Sequence, residues 1–469
     1  MDVREKNMTL GKALIPLLFL IVIIMLNNIY GNGASAIPLI ASSVVASVIA
    51  MLSGYSWDEL EKGILNTIGL TMQACLILMV IGMIIGVWIL AGVVPTIIYY
   101  GLRIVSPQFF LVGTVVLCIL ISVATGSSWT TIGTIGVALI GIGQGLGIPA
   151  GMTAGAIVSG AYFGDKVSPL SDNTNMGSGV LGVNLYDHIK HMMYTSVPTL
   201  LISLILFYIV GRKYSLSTMD YSQINMILNG IQEQFVIGPI LLLVPVVIVV
   251  VVILKVPAIP GLIISVLVGS IAALVVQKAS LVEIADAAHF GYVSSTGIEL
   301  IDTLLSKGGL DGMMYTISLI LCAMIFGGIL ETSGMLEVII KKILSIVNKA
   351  GSLIVTATVT SVLINIFTGD QALAIILPSR MYKDAFESRG LDLKNLSRCS
   401  ADGGVVTSPI VPWNVCGVFV ATTLGVPTLV YLPYCFFSLL SPLVSIIAGF
   451  AGYTVAKVED SKSLYKSNI

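Results

Sequence analysis

Long apolar runs fill this chain from end to end, and short polar or glycine-containing breaks interrupt them at recurring places. A run of about 20 apolar residues is what a helix needs to cross the hydrocarbon of a bilayer. On that length, each half of the chain reads as two spans (13–30 and 36–53; 235–254 and 259–277) and then a long helix (68–100; 313–340). Next come a segment broken at Thr-Gly (108–142; 352–382), one broken at Ser-Pro (153–184; 399–424) and a closing span (192–211; 428–455). The polar stretch 212–234 reads as a linker. The expected units are therefore 1–211 and 235–469, with scaffold helices over 13–100 and 235–340.

The two halves repeat each other in detail. Thr125-Gly126-Ser127-Ser128 recurs as Thr368-Gly369-Asp370-Gln371, 243 residues on. Gly164-Asp165-Lys166-Val167-Ser168-Pro169 recurs as Gly404-Val405-Val406-Thr407-Ser408-Pro409, 240 residues on. Ala36-Ile37-Pro38 matches Ala258-Ile259-Pro260 at a smaller spacing, so the second half carries an insertion, placed within 290–312 and read as loop. Polar interruptions at matching places in two halves point to the binding site of a transporter.

Composition narrows the class. A mean hydropathy of +1.02, with 56% apolar and 10% charged residues, excludes a soluble domain, where about 25% charged is usual. The net charge of −1 implies neither nucleic acid nor a polybasic membrane-surface role. The partner this composition implies is the lipid bilayer. Six scattered cysteines without a C-x-x-C read as small core residues. His188, His191 and His289 fall in loops or at helix ends, so neither a metal cluster nor a cofactor is expected. Residues 1–36 imitate a signal peptide, with an apolar run Ala13–Leu26 before Ala34-Ser35-Ala36. That run matches 235–254 in the second half and is therefore read as the first membrane helix.

Charge sets a topology. Lys341, Lys342 and Lys349 precede the second Thr-Gly segment, and Lys383, Arg389, Lys394 and Arg398 follow it. Arg103 alone flanks the first. If each segment is a re-entrant hairpin, both basic flanks face the cytoplasm, together with Arg4, Lys255, Lys462 and Lys466. Lys166 and Arg380 are left at membrane depth, and the positive-inside rule is obeyed. The expected fold is an all-α polytopic membrane protein with two inverted-topology repeats. Each repeat has about five transmembrane helices and one hairpin, with broken helices at the midplane and both termini cytoplasmic.

The chemistry concentrates at the breaks. Pro169 removes a backbone donor and ends its helix, and unwound backbone at membrane depth survives only where protein or a wet cavity satisfies it. Asp172, Asn173, Thr174 and Asn175 offer the oxygen ligands that hard cations prefer. The tips supply Thr125, Ser127 and Ser128 from one side and Thr368, Gly369 and Asp370 from the other, and Asn414 stands near the second break. A carboxylate at that depth is costly and usually functional, so Asp172 and Asp370 are the expected Na⁺ ligands. Asp165, Asp172, Asp370 and Asp402 are proton-coupling candidates, with Glu331 a further acid. Asp165 and Lys166 point about 100° apart on a helix, so one is a ligand and Lys166 a counter-charge to Asp165 or Asp172. Ala156, Gly160 and Gly164 form a small-residue stripe for close helix packing. An intramembrane aspartyl protease would want G-x-G-D, but Tyr162 and Phe367 stand at the glycine positions.

The run Ser159-Gly-Ala-Tyr-Phe-Gly-Asp-Lys-Val-Ser-Pro-Leu-Ser-Asp-Asn-Thr-Asn175 closely resembles the signature of the NhaC-type sodium/proton antiporters. The resemblance implies paired hairpins in inverted repeats, a homodimer working by an elevator-like motion, and Na⁺ or H⁺ exchange in the cell membrane. The same family includes exchangers of malate and protons for lactate and sodium, the alternative substrate class. Ionised carboxylates would hold sodium and protonated ones release it, with burial disfavouring the charged form enough for the switch.

Overall fold

The computed structural model describes residues 6–30, 35–214, 221–254, 256–345, 350–453 and 455–458. Arg4, Lys255, Lys349, Lys462 and Lys466 of the charge pattern, Ala34 and part of the linker 212–234 lie outside the described residues. The described chain is helical, with two isolated bridges (Tyr292 to Lys307, Leu391 to Lys457) and no strand among the described residues.

The first half opens with α1 (Leu10–Tyr30), α2 (Ala36–Leu52), α3 (Trp57–Leu90) and α4 (Val93–Ile104). Then follow α5 (Pro107–Thr125), α6 (Ser128–Thr131), α7 (Val137–Gly145), α8 (Ala150–Val167), α9 (Asp172–Gly179) and α10 (Leu185–Gly211). Between the halves stands α11 (Tyr221–Gln234). The second half begins with α12 (Leu243–Ile253), α13 (Ala258–Ala272), α14 (Leu281–Phe290) and α15 (Glu299–Leu305). It continues through α16 (Met314–Thr332), α17 (Met335–Leu344), α18 (Ala350–Thr368) and α19 (Gln371–Glu387). It closes with α20 (Leu393–Ser400), α21 (Val415–Leu424), α22 (Thr428–Tyr431) and α23 (Phe436–Phe450).

Among the described residues, seven helices are long and apolar enough to cross a bilayer, and three bent pairs raise the number to as many as ten. The outward faces carry Leu18, Leu65, Leu201, Ile205, Leu267 and Ile271, all more than half exposed. Such faces suit lipid tails. The interior instead buries hydroxyls, and Thr67, Thr71, Thr199 and Ser203 satisfy theirs on carbonyls of their own helices. This is the arrangement expected where packing and hydrogen bonds, not apolar burial, hold helices together.

Three expectations change. The stretch 212–234 is not linker throughout: α11 begins at Tyr221, and its low hydropathy concealed it. The insertion 290–312 is ordered around Asp302. That carboxylate accepts from the Thr296 and Ser294 hydroxyls and from the Thr296 and Gly297 amides, and these bonds, that of the Thr296 hydroxyl first, lower its pKa. The long helices also divide, each at a left-handed glycine: Gly92 (φ 75°) between α3 and α4, Gly334 (φ 70°) between α16 and α17.

The Thr-Gly segments are hairpins. The hydroxyl of Thr360 in α18 bonds that of Tyr382 in α19 at 2.7 Å, though Asp370 lies between them, so the arms run side by side. In the first half, a methyl group on Gly143 in α7 would sit 3.1 Å from the Phe110 ring in α5. The small-residue stripe does the work expected of it: at Gly160 the carbonyl of Val115 in α5 comes within 2.4 Å of where a Cβ would stand.

Candidate functional site

Each hairpin tip is built the same way. Gly126 and Gly369 turn the chain in the left-handed region (φ 66° and 68°), where a side chain is disfavoured. The next residue caps the returning helix: Ser127 accepts from the Thr130 amide at 3.1 Å, and Asp370 from the Leu373 amide at 2.8 Å. Thr125 and Thr368 each accept the amide of that capping residue at 3.3 Å.

The broken helices meet these tips. Ser171 caps α9 after the unwound stretch 168–171, and Asn414 caps α21. A Cβ on Gly126 would lie 2.6 Å from the Leu170 carbonyl carbon, and one on Gly369 3.0 Å from the Trp413 oxygen. Further contacts repeat at the same spacing. Ser122 donates to the Ala161 carbonyl at 2.6 Å, and Asn365 to that of Gly404 at 2.6 Å. Gly160 abuts the Val115 oxygen as Gly403 abuts that of Thr358. All of these pairs stand 243 residues apart, which corrects the 240-residue match of the Ser-Pro pairs. In the folded chain Asp165 corresponds to Ser408, and Asp402 to Ser159. The second break falls at 411–414, because Pro409 opens a short 3₁₀ turn, where its missing donor is harmless.

Between the tips and the first break lies a cavity of about 470 Å³. Six of the sequence-nominated ligands line it: Thr125, Ser127, Ser128, Asp172, Asn173 and Asp370. Asp165 lines it too, 3% exposed and firmly oriented. One of its oxygens accepts from the Ser128 hydroxyl (2.6 Å), the Ser128 amide (3.3 Å) and the Asn173 amide group (3.2 Å), and the other accepts from the Ser171 hydroxyl. Asp370 is 8% exposed. Asp172 is exposed in the first turn of α9, favourably placed at a helix N-terminus. The opposite wall is apolar, with Leu70, Ile77, Ile248, Pro257 and Leu262 from α3, α12 and α13 or their flanks.

Other nominated residues shape the site from outside. Thr174 donates to the carbonyls of Asp165 and Lys166. Asn175 donates to those of Pro169 and Ser171, Thr368 to that of Ile364. Gly369 and Asn414 form the second tip and cap. Asp402 is absent from the lining, and Lys166 is not a counter-charge to Asp165 or Asp172. Its ammonium pairs with Asp402, with both side chains fully buried. Arg398, placed on the basic flank by the sequence, is wholly buried in α20, whereas Arg380 is exposed. Glu331 is exposed in the last turn of α16. Sequence reasoning missed Thr71 and Gln73, whose polarity within the apolar run of α3 was the available signal.

Chemically, the cavity offers two buried carboxylates and several hydroxyls, and among the described residues no Lys, Arg or His lines it. No group of three or more His, Cys, Asp or Glu suited to a metal ion occurs among the described residues. A monovalent cation needs fewer charged ligands than a divalent one, and a hydroxyl that donates to Asp165 still presents lone pairs to it.

Paired breaks and hairpin tips around an acidic cavity, in a multi-pass helical membrane protein, define a secondary transporter. Residues 160–453 match the family model described as the Na+/H+ antiporter family. The chain is 38% identical to the Na(+)/H(+) antiporter NhaC of Alkalihalophilus pseudofirmus, over 97% of this chain and 98% of that protein. It is 36% identical to the Malate-2H(+)/Na(+)-lactate antiporter of Bacillus subtilis, over 95% of each. It is also 36% identical to the Arginine/ornithine antiporter ArcD of Halobacterium salinarum, over 98% of this chain and 95% of that one. The chain belongs to the Na⁺/H⁺ antiporter family.

Proposed function

We propose that the protein exchanges Na⁺ for H⁺ across the cell membrane by alternating access, with no enzymatic step. One observation carries this reading: Asp165 and Asp370 face a common cavity that no basic side chain lines among the described residues, the nearby Lys166 being paired with Asp402. Ionised, the two carboxylates and the hydroxyls of Thr125, Ser127 and Ser128 hold Na⁺. Protonated, they lose the charge that holds it. Asp172, at the start of α9, draws the cation in without enclosing it. The two halves are inverted repeats and the protein works as a homodimer with cytoplasmic termini. The test is ΔpH-driven ²²Na⁺ uptake into proteoliposomes: saturable uptake is expected, and its absence at an imposed proton gradient overturns the reading.

A second reading has support in the cavity's volume, which exceeds what one ion with a few waters of about 30 Å³ each requires. Exchange of small organic acids would bring the anion into this space together with the Na⁺ that Asp165 and Asp370 hold. Lactate or malate required for Na⁺ flux in the same vesicles would favour it, and flux without either favours the simple cation exchanger.

A further inference from the structure

Lys166 and Asp402 form a wholly buried ion pair outside the cavity. Lys166 lies in the last turn of α8, and Asp402 in a π-helical turn, Ala401–Val405. Such turns often mark functional positions. Thr195 of α10 donates to both Asp402 oxygens at 3.0 and 3.1 Å, and Ser441 of α23 to one at 3.1 Å. Four elements, two from each half, thus converge on one charge.

The molecule contains its own control for this cluster. At the 243-residue register, Ser159 stands where Asp402 does and Pro409 where Lys166 does. Both equivalent positions are neutral, the Ser159 hydroxyl accepting from the Phe437 amide at 3.4 Å and the Pro409 carbonyl from the Tyr431 hydroxyl at 2.6 Å. Packing therefore does not demand charges here, and a buried ion pair is generally no more stabilising than neutral side chains of like volume. The ammonium stands on the broken helix that carries Asp165, and its carboxylate partner comes from the other half.

Asp165 and Lys166 are successive residues on one turn, and a helix turns about 100° per residue. Drawing Lys166 to Asp402 fixes the rotation of that turn, which aims Asp165 into the cavity. Thr174 joins the same turn to α9 through the two carbonyls it meets, at 3.2 and 2.9 Å. The pairing also offsets an ammonium one residue away from the cation's ligand. We infer that the Lys166–Asp402 pair is a positioning device for the ion site: it orients Asp165 and keeps its charge available to the cation without touching the cation. This rests on the sodium/proton reading above.

The test compares wild type, Asp402→Asn and the neutral double variant Lys166→Met/Asp402→Asn by ²²Na⁺ uptake and by thermal unfolding in detergent. The double variant is expected to unfold at the wild-type temperature, with its KM for Na⁺ raised about tenfold and its saturating rate much less affected. Asp402→Asn, which leaves Lys166 uncompensated, is expected to raise KM further. A folded double variant with wild-type KM overturns the inference, as does a double variant that no longer folds, since the pair would then be needed for packing. Absence of Na⁺ uptake by wild type in the same vesicles would instead strike the functional reading.

Discussion

The two hairpin sites share a backbone and exchange their acids. In the first half the tip cap is a hydroxyl, Ser127, and the broken helix carries the carboxylate, Asp165. In the second the cap is the carboxylate, Asp370, and the position equivalent to Asp165 is a hydroxyl, Ser408. Each half thus brings one acid, from a different place, to one cavity. Two identical halves would have put both acids at tips or both on broken helices. The exchange leaves one acid clasped by four hydrogen bonds and the other held by its helix cap, so the two differ in freedom as well as position.

Removing the charge from the tip tests this contrast most severely. Asn caps a helix as well as Asp does, so Asp370→Asn should fold normally and lose only the charge. Na⁺ uptake should fall by about a hundredfold, since one of the two buried carboxylates that hold the cation is lost. Wild-type uptake would show that the second half contributes no ligand. Moving the acid is the next test. Because the two caps are equivalent, Ser127→Asp/Asp370→Ser should recover about tenfold over Asp370→Ser alone, as residues coupled through a shared cavity do not act additively.

Smaller effects separate the tips as structures. Gly126→Ala places a Cβ closer to its neighbour than Gly369→Ala does, 2.6 Å against 3.0 Å. Both pay about 1–2 kcal/mol for the left-handed backbone, so thermal unfolding should rank Gly126→Ala the less stable. Equal losses would mean that the tips differ less than the contacts indicate. Ser127→Ala removes one cap, worth about 1 kcal/mol. It should lower the unfolding temperature slightly, and Na⁺ uptake should persist with a raised KM, since one neutral ligand is lost while both carboxylates remain.

Much of this was legible in the sequence. The Thr-Gly tips, the break after Val167 and the small-residue stripe followed from residue types that have few other uses in apolar helices. The facing of the acids did not. Asp165 and Asp172 flank an unwound stretch, where helical periodicity no longer says which side chain turns inward. The partner of Lys166 lies 236 residues away, beyond any local pattern. Ser-Pro recurs at 408–409, but local identity is not register: close contacts at Gly160 and Gly403 fix the alignment three residues away. The helix α11 was hidden because its polar face lowered its hydropathy, and the 291–309 segment because its order comes from one carboxylate's bonds.

The central claim is that Asp165, not the neighbouring Asp172, is the first half's cation ligand. Measuring the Na⁺ dependence of ΔpH-driven ²²Na⁺ uptake for Asp165→Asn and Asp172→Asn in parallel tests it directly. Asp165→Asn should abolish saturable uptake, because it removes a buried charge on which four donors converge, while Asp172→Asn should shift KM by no more than about threefold, as suits an exposed charge near a site. Saturable uptake in Asp165→Asn, or its loss in Asp172→Asn alone, would contradict the account.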